Sequence, residues 1–269
     1  MQSLLLDTDP QGICRLTLNR PEHANAFDEQ LISELIDALD HLATLQDCRV
    51  LVLQATGKHF SGGADLNWMQ RQAQMSAADN LNDARQLALL MQRLDNFPRP
   101  TVALIQGAAF GGALGLICCC DIVLAHHSAR FCLSEVKLGL IPAVISPYVN
   151  RSIGMRQLRR YALTAEQVSA HEALALGLVH QLADDLHHSE QLLLKALLKG
   201  SPQAQMRCKQ LLAQIDQQPL TNELAEHTAQ AIAAARSSND AQAGIAAFFE
   251  KRPPAWQLAS ATNKGSEEA

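Results

Sequence analysis

The sequence has no dense run of basic residues and only a modest share of charged residues. Lys and Arg number 22 against 27 Asp and Glu, so the formal net charge is −5, and charged residues make up 18% of the 269 residues. A surface that binds nucleic acid needs a basic patch or stripe. The composition therefore predicts that nucleic acid is not a partner.

The cysteines lack the pattern of a disulfide framework, and no CxxC motif is present. There are seven, an odd number, and three are adjacent at residues 118–120 in an apolar segment, which is typical of reduced, buried cysteines. The first residues, MQSLLLDTDPQG, contain two aspartates and no basic segment, so neither a secretory signal nor a transit peptide is expected. We expect a cytoplasmic location.

A membrane span and a metal site are not expected either. Residues 101–125 are almost entirely apolar, but Gln106, Asp121 and four glycines interrupt them, and a strand, a turn and a buried helix explain this composition without lipid. The histidine pairs 126–127 and 187–188 lack the i,i+4 spacing with which a helix chelates a metal. We predict no metal and no membrane partner.

Hydrophobic periodicity predicts strands early in the chain and helices later. Residues 4–7 and 13–18 alternate like an opening hairpin, and Asp28 is a good N-cap for the amphipathic helix that follows. Residues 67–96 are polar and indicate a loop that shapes a pocket, with a helix from about Asp79. Short buried strands are expected at residues 49–53, 101–105, 122–125 and 131–133, and further helices at residues 154–163, 165–176, 189–199, 221–235 and 240–250.

The most specific stretch is residues 106–121, QGAAFGGALGLICCCD, which follows the apolar strand at residues 101–105. Gly111 and Gly112 are expected to begin a helix, whose first N–H groups are unpaired and lie at the positive end of its dipole. Glycine there lets a ligand approach the backbone closely. We interpret this stretch as an oxyanion-binding turn, with a purely structural glycine cluster as the alternative.

A second glycine loop, residues 57–65 (GKHFSGGAD), follows the strand predicted at residues 49–53. The arrangement of a strand followed by a glycine loop therefore occurs twice. His59 and Ser61 within this loop have no evident third partner, so a serine hydrolase mechanism is not favoured.

Five blocks resemble the enoyl-CoA hydratase/isomerase, or crotonase, superfamily. They are NRPEHANAF at 19–27, GKHFSGGADLNWM at 57–69, QGAAFGGALGLICCCDIVLA at 106–125, FCLSEVKLGLIPAVISPYV at 131–149 and AAFFEKRPPAW at 246–256. The resemblance implies an α/β fold, a crotonase-like spiral of repeated ββα units with a C-terminal helical trimerisation region. It implies a core with the CoA and active site over residues 1–200, a helical region over 201–256, and a homotrimer or homohexamer. Composition adds a disordered polar tail at 257–269.

The resemblance also implies a binding site for an acyl-CoA thioester. Its carbonyl oxygen would lie between the backbone N–H groups of Ala64 and Gly112, where charge develops during reaction. No cofactor is implied beyond the CoA of the substrate. The residues implied in substrate or CoA binding are Glu22, His23, Ala24, Asn25, Ser61, Gly62, Ala64, Asp65, Leu66, Gly111, Gly112, Gly115, Pro142 and Lys251.

Glu135 matches the second of the two glutamates that hydratases of this superfamily usually carry. The first normally lies three residues after the oxyanion glycine, and that position is Gly115 here. This departure puts the two-carboxylate mechanism in doubt. The surrounding blocks are most similar to the bacterial methylglutaconyl-CoA hydratase branch of leucine breakdown, and the missing side chain at residue 115 would leave room for a methyl group on the β-carbon.

Three functional hypotheses follow from these residues. The leading one is a hydratase of an α,β-unsaturated acyl-CoA in which Glu135 acts as acid and base and Ala64 and Gly112 are the oxyanion donors. The second is a crotonase-type isomerase or acyl-CoA hydrolase, for which a single carboxylate also suffices. The third is a CoA-binding homologue that has lost its activity, which Gly115 itself suggests.

Overall fold

The computed structural model describes residues 2–258 and has a mixed α/β fold. The strands in this part are β1 (Leu4–Thr8), β2 (Ile13–Leu18), β3 (Val50–Ala55), β4 (Thr101–Ile105), β5 (Ala108–Phe110), β6 (Ile122–His126), β7 (Arg130–Cys132), β8 (Val168–Ser169) and β9 (Gln181–Ala183). The helices are α1 (Glu29–Thr44), α2 (Leu66–Gln72), α3 (Ala77–Asp95), α4 (Gly112–Cys119), α5 (Ser146–Thr164), α6 (Ala170–Leu176), α7 (Leu186–Leu197), α8 (Pro202–Ile215), α9 (Asn222–Arg236), α10 (Asn239–Phe249) and α11 (Ala255–Leu258). Two short 3-10 helices span Pro21–His23 and Glu135–Leu138.

The strands form two sheets. The larger has the order β1-β2-β3-β4-β6-β9, and the smaller has the order β5-β7-β8. The predicted opening hairpin is present, since β1 pairs with β2 antiparallel, whereas β2, β3, β4, β6 and β9 run parallel. Interior parallel strands are covered on both faces, which explains why β4 is buried along its whole length.

Alternate residues of β3 face two separate apolar layers. Leu51 and Leu53 pack in the main core with the leucines of α1, while Val50 and Val52 face a smaller cluster that includes residues of α7. Helix α1 begins as the sequence predicts, because the Asp28 carboxylate accepts a hydrogen bond from the Leu31 N–H at 2.9 Å. The sheet therefore holds helices on both faces.

The helix predicted from about Asp79 within the polar segment 67–96 is present as α3, but the sequence did not predict α2 at the start of this segment. The Asp65 carboxylate accepts hydrogen bonds from the N–H groups of Asn67 and Trp68 and so caps α2. Ser76 then caps α3, which begins two residues before the predicted Asp79. Local capping by these side chains outweighs the polar composition.

The starts of three helices after β7 also differ from the prediction. Helix α5 begins at Ser146, and Gly154, with a φ of 76°, breaks it where the sequence predicted its start. Residues 165–169 are not helical: Ala165 has a left-handed backbone, β8 follows, and Ser169 caps α6. Helix α7 begins at Leu186, three residues before the predicted start, because Asp185 caps it.

The cysteines are free, and all except Cys208 are buried, as the sequence predicts. Burial raises the pKa of the Cys118 thiol to about 12, so the cysteine run belongs to the apolar core. Within residues 2–258, no helix combines the length and apolarity that a membrane crossing needs, and no cluster of three or more potential metal ligands occurs. Helix α11 reaches Leu258, two residues into the predicted tail, and the rest of that tail lies outside the described residues.

Polar contacts join the C-terminal helices to the large sheet. The Arg49 guanidinium donates to the carbonyls of Leu198, Gly200 and Trp256. Lys209 of α8 lies 2.7 Å from the Asp121 carboxylate, which also accepts hydrogen bonds from the backbone N–H and hydroxyl of Thr101 in β4. Asp121 is therefore a structural anchor.

The C-terminal helices leave much apolar surface exposed. The large hydrophobic side chains exposed there are Leu212, Leu220, Ile232, Ile245, Phe248 and Phe249. Helices α8 and α9 contain no buried residue in the single chain. Apolar surface gathered in one region is typical of an interface between protein chains.

The exposed apolar faces predict that copies of the chain associate, and the family resemblance implies a trimer or a hexamer in solution. Association would cover the apolar faces of the C-terminal helices, which a single chain leaves in water. Native mass spectrometry at micromolar concentration measures this directly. A stable monomer at that concentration would contradict the prediction.

Candidate active site

A short parallel bridge holds the two glycine loops together. Ser61 pairs with Ala109, since the Ser61 N–H donates to the Ala108 carbonyl at 3.1 Å and the Phe110 N–H donates to the Ser61 carbonyl at 3.0 Å. Both chains leave the bridge in the same direction. Three residues beyond the bridged pair, they reach Ala64 and Gly112, the two predicted oxyanion donors.

A second parallel bridge orients the N–H group of Ala64. The Phe27 N–H donates to the Gly63 carbonyl at 2.7 Å, and the Asp65 N–H donates to the Phe27 carbonyl at 2.8 Å. Backbone groups alternate in direction along an extended chain, so the Ala64 N–H points away from Phe27. No acceptor within residues 2–258 takes this N–H.

Gly112 is the first residue of α4, where an N–H has no partner inside the helix. Gly111 precedes it with a φ of 54° and donates its own N–H to the Cys132 carbonyl at 2.8 Å. The Gly112 N–H has no acceptor among the described residues, and it lies at the positive end of the helix. Two free backbone donors therefore occupy matching positions on adjacent loops.

The two residues that carry these donors line one pocket of about 780 Å³. Its walls come from α2, α3, the start of α4 and the segment that leads into α5. The lining residues are Phe27, Ala64, Trp68, Met69, Gln72, Ala73, Asn80, Asp83, Ala84, Leu87, Gly112, Glu135, Leu138, Gly139, Leu140, Ile141, Pro142, Ala143, Val144 and Ile145. Most of these side chains are apolar, so the pocket suits the acyl part of a ligand.

Glu135 places a carboxylate in this pocket beside the oxyanion turn. Its Oε1 lies 3.5 Å from the point where a Cβ on Gly111 would be, and its Oε2 is buried with no hydrogen-bond partner in the described chain. Burial raises the pKa of Glu135 above its ordinary value, and a hydrogen bond from its own backbone N–H partly opposes this. A half-buried carboxyl group with a raised pKa and one oxygen without a hydrogen-bond partner is typical of a catalytic acid or base.

The second carboxylate that lines the pocket belongs to Asp83, and it forms hydrogen bonds with other residues of the pocket wall. Its Oδ1 accepts a hydrogen bond from Trp68 Nε1 at 3.3 Å, and its Oδ2 accepts one from Gln72 Nε2 at 2.6 Å. Asp83 therefore ties α2 to α3. No lysine or arginine of the described chain lines the pocket.

Three of the predicted binding residues are instead internal connectors. The Asn25 side chain is fully buried and donates to the carbonyls of Thr56 and His59, both at 2.8 Å, so this side chain is engaged inside the protein. Ser61 is likewise fully buried, and its hydroxyl accepts the Gly63 N–H. The Asp65 carboxylate caps α2 and pairs with Arg20 at 3.4 Å. These side chains shape the loop and do not face a ligand.

The remaining predicted CoA residues lie on the loop surface. Glu22 and His23 are exposed on their 3-10 helix, and Leu66 is 76% exposed. Ala24 accepts the Gly62 N–H on its carbonyl at 2.8 Å, which fixes the two segments side by side. A CoA arm along this surface stays a prediction.

Two further predicted residues have different positions relative to the pocket. Pro142 lines the pocket. Lys251 is exposed and lies outside the lining, so its contact with CoA phosphates is untested. His59, considered for nucleophilic catalysis, accepts the Ala108 N–H on its Nδ1 at 3.0 Å and has a structural role.

The prediction that the missing side chain of Gly115 leaves room beside the substrate is wrong. A Cβ at this position would instead overlap Ile145 Cγ2 and lie 2.8 Å from Met91 Sδ, so neighbouring side chains already fill the space. Gly115 is buried and does not line the pocket.

The sequence analysis missed Ile145 and the wall formed by Trp68 and Asp83. A signal for the wall was present, because Asp65 followed by LNWM is an N-cap followed by helix-forming residues. No local signal marks Ile145, since its role depends on packing against a helix about 30 residues earlier in the chain.

Gly112→Pro tests the second oxyanion donor. Proline is tolerated at the first helical position, and the Phe27 ring lies at ordinary contact distance, 3.7 Å, from a Cβ there, so α4 should survive while the N–H is lost. We expect turnover of an enoyl-CoA to fall by about a hundredfold or more, with CoA affinity less affected. Gly112→Ala keeps the N–H and is the matched control. Equal turnover in a folded Gly112→Pro protein would show that this N–H is not a donor.

The raised pKa of Glu135 predicts a pH-dependent stability. The folded state binds this proton more tightly than the unfolded chain does, so it loses stability as the pH rises through the raised pKa. We expect Glu135→Gln to have a higher Tm than the wild type at neutral pH, and the difference to vanish below the ordinary value of 4.5. Thermal denaturation in acidic and neutral buffers measures this. A difference that is constant with pH would contradict the assignment.

Comparison with known proteins agrees with this arrangement. The enoyl-CoA hydratase/isomerase family model matches residues 8–259. The 2,3-dehydroadipyl-CoA hydratase of Escherichia coli strain K12 is 34% identical over 256 residues, which cover 94% of this chain and 98% of that protein. Among solved structures, an enoyl-CoA hydratase from Shewanella pealeana has a TM-score of 0.93 at 50% identity, covering 95% of this chain and 96% of that one. AtuE of Pseudomonas aeruginosa has a TM-score of 0.90 at 34% identity, covering 95% of this chain and all of that one.

The match covers nearly the whole chain, and it includes both glycine loops and the glutamate that the pocket brings together. The superfamily inferred from the sequence blocks is confirmed. This chain belongs to the enoyl-CoA hydratase/isomerase family.

Proposed function

We propose that the protein is a hydratase that adds water across the double bond of an α,β-unsaturated acyl-CoA. We further propose a substrate branched at the β-carbon, with 3-methylglutaconyl-CoA of leucine degradation as the first candidate. The observation that carries the proposal is the Glu135 carboxyl group, whose buried Oε2 has no hydrogen-bond partner, in the pocket that is also lined by Ala64 and Gly112 with their free N–H groups.

The two N–H groups supply the electrostatic part of the mechanism. A thioester carbonyl bound between them would gain negative charge as water adds to the conjugated system and an enolate forms. Donors already fixed by two backbone bridges bind that charge more strongly than the neutral carbonyl and need no rearrangement. Each such donor is typically worth about 3 kcal/mol.

Glu135 supplies the proton transfers. Its carboxylate would take a proton from water as the water oxygen bonds to the β-carbon, and would then give a proton to the α-carbon of the enolate. The product gains one water, and Glu135 returns to its starting state. Its raised pKa suits both steps, because a group that titrates nearer the working pH can accept and release a proton readily.

The pocket offers one available carboxylate. Gly115 has no side chain, and Asp83 already accepts two hydrogen bonds, so Glu135 alone is free for acid and base work. The preference for branching rests on the resemblance of the sequence blocks, since the space at Gly115 is filled.

The pocket gives less support to a carboxylate at the far end of the acyl chain. Its acidic groups are Asp83 and Glu135, and no lysine or arginine of residues 2–258 lines it. Comparison of 3-methylglutaconyl-CoA with uncharged 3-methylcrotonyl-CoA separates the contribution of the branch from that of the carboxylate. No cofactor beyond the CoA of the substrate enters the proposed mechanism.

A panel of enoyl-CoA thioesters tests the proposal. The conjugated thioester is followed by its ultraviolet absorbance, and the products are identified by mass spectrometry. A product heavier by one water supports the hydratase. A product of unchanged mass with a moved double bond indicates the isomerase, release of free CoA indicates the hydrolase, and binding without reaction indicates the inactive homologue.

Glu135→Gln should lower kcat on the best substrate by roughly two to four powers of ten, with KM changed only a few-fold, because the amide keeps the shape and loses the base. Asp83→Asn is the matched control, since it removes the other carboxylate of the pocket. We expect that variant to keep kcat within about tenfold of the wild type. Near-normal turnover by Glu135→Gln would show that Glu135 is structural.

A further inference from the structure

The space that a side chain at Gly115 would need is occupied by a residue that also faces the pocket. A Cβ on Gly115 would overlap Ile145 Cγ2 and lie 3.0 Å from Ile145 Cβ. Ile145 is 2% exposed, and it is also one of the residues that line the pocket. Met91, the other neighbour, is fully buried behind this wall and does not line the pocket.

The backbone around Ile145 holds its side chain in place. The Ile145 carbonyl accepts the N–H groups of Tyr148 and Val149 in the first turn of α5. Before it, the Pro142 carbonyl accepts both the N–H and the hydroxyl of Ser146. A β-branched side chain on such a backbone has few rotamers, so Ile145 forms a firm surface.

This surface lies close to the proposed reacting centre. Gly115 lies in the first turns of α4, and Gly111 is the residue that immediately precedes this helix. The Glu135 carboxylate lies against Gly111, and Ile145 lies against Gly115. Glu135 and Ile145 therefore lie against the start of α4, and both line the same pocket.

We propose that Ile145 determines specificity for the substituent on the β-carbon of the acyl group. Its side chain replaces a side chain at residue 115 and gives the pocket an apolar wall beside Glu135, against which an alkyl branch packs. The inference rests on the proposed binding of acyl-CoA thioesters and deepens it. One methyl group in an apolar pocket typically changes selectivity by about tenfold or more.

A double-mutant cycle of thermal stability tests the contact between residues 115 and 145 without any substrate. Gly115→Ala should lower the Tm by about 5 °C or more in the wild type, because the added methyl overlaps Ile145. In an Ile145→Ala background, the same change should lower the Tm by clearly less, because the closest overlap, with Ile145 Cγ2, is gone. An equal loss from Gly115→Ala in both backgrounds would overturn the pairing.

Saturated thioesters test specificity without requiring turnover. Isovaleryl-CoA carries a methyl branch on its β-carbon and butyryl-CoA does not, so calorimetry of both gives the preference for the branch. We expect this preference to fall by about tenfold in Ile145→Ala. Val149→Ala truncates another fully buried residue of the same region that does not line the pocket, and it should leave the preference unchanged.

Ile145→Val removes one methyl group and should give an intermediate preference if Ile145→Ala is too unstable to measure. A preference unaffected by either Ile145 variant, or reduced equally by Val149→Ala, would overturn the proposal. So would a wild-type protein that binds neither thioester. A wild type that binds both with the expected preference but hydrates no enoyl-CoA would instead refute the hydratase while supporting the role of Ile145.

Discussion

The site depends on the parallel bridge between Ser61 and Ala109. The two glycine loops are paired there, so the turns that follow Ser61 and Ala109 are fixed relative to each other. The N–H groups of Ala64 and Gly112, which lie in these turns, therefore cannot move independently. Gly63 lets the loops approach, since its φ is 97° and a Cβ would lie 3.1 Å from the Phe110 carbonyl oxygen. Preorganised donors of this kind lower the free energy of a charged transition state without reorganising. In the proposed mechanism, stabilisation of the oxyanion therefore depends on backbone geometry.

The apolar pocket affects the two backbone donors and the Glu135 carboxyl group differently. A hydrogen bond to a charged oxygen is stronger there than in water, so the two N–H groups would bind an oxyanion more strongly. The same surroundings disfavour a bare carboxylate, so the pKa of Glu135 rises. Asp83, by contrast with Glu135, accepts hydrogen bonds on both of its oxygens, from Trp68 and Gln72. Two carboxylates of one pocket thus have separate roles because their hydrogen-bond partners differ.

The sequence predicted the parts that local patterns determine. The opening hairpin, α1 with its Asp28 cap, β4 and the glycine start of α4 depend on residues close in the chain. The motif also identified Glu135, Ala64 and Gly112, which the pocket brings together. The motif could not show which way each side chain points. Asn25, Ser61 and Asp65 belong to the same blocks, but their side chains turn inward and form hydrogen bonds with backbone groups. Ile145 escaped prediction because its contact with Gly115 arises only after distant segments pack together.

Helices α8 and α9 bury no residue within one chain, although the contacts of Arg49 and Lys209 join the C-terminal region to the large sheet. A helix gains most of its stability from packing an apolar face, so these helices gain little from their own chain. The proposed association of copies would supply that packing. By mass action, the order of this region would then depend on protein concentration, whereas the order of the parallel sheet would not. Dilution would therefore loosen the C-terminal helices first and leave the two glycine loops joined.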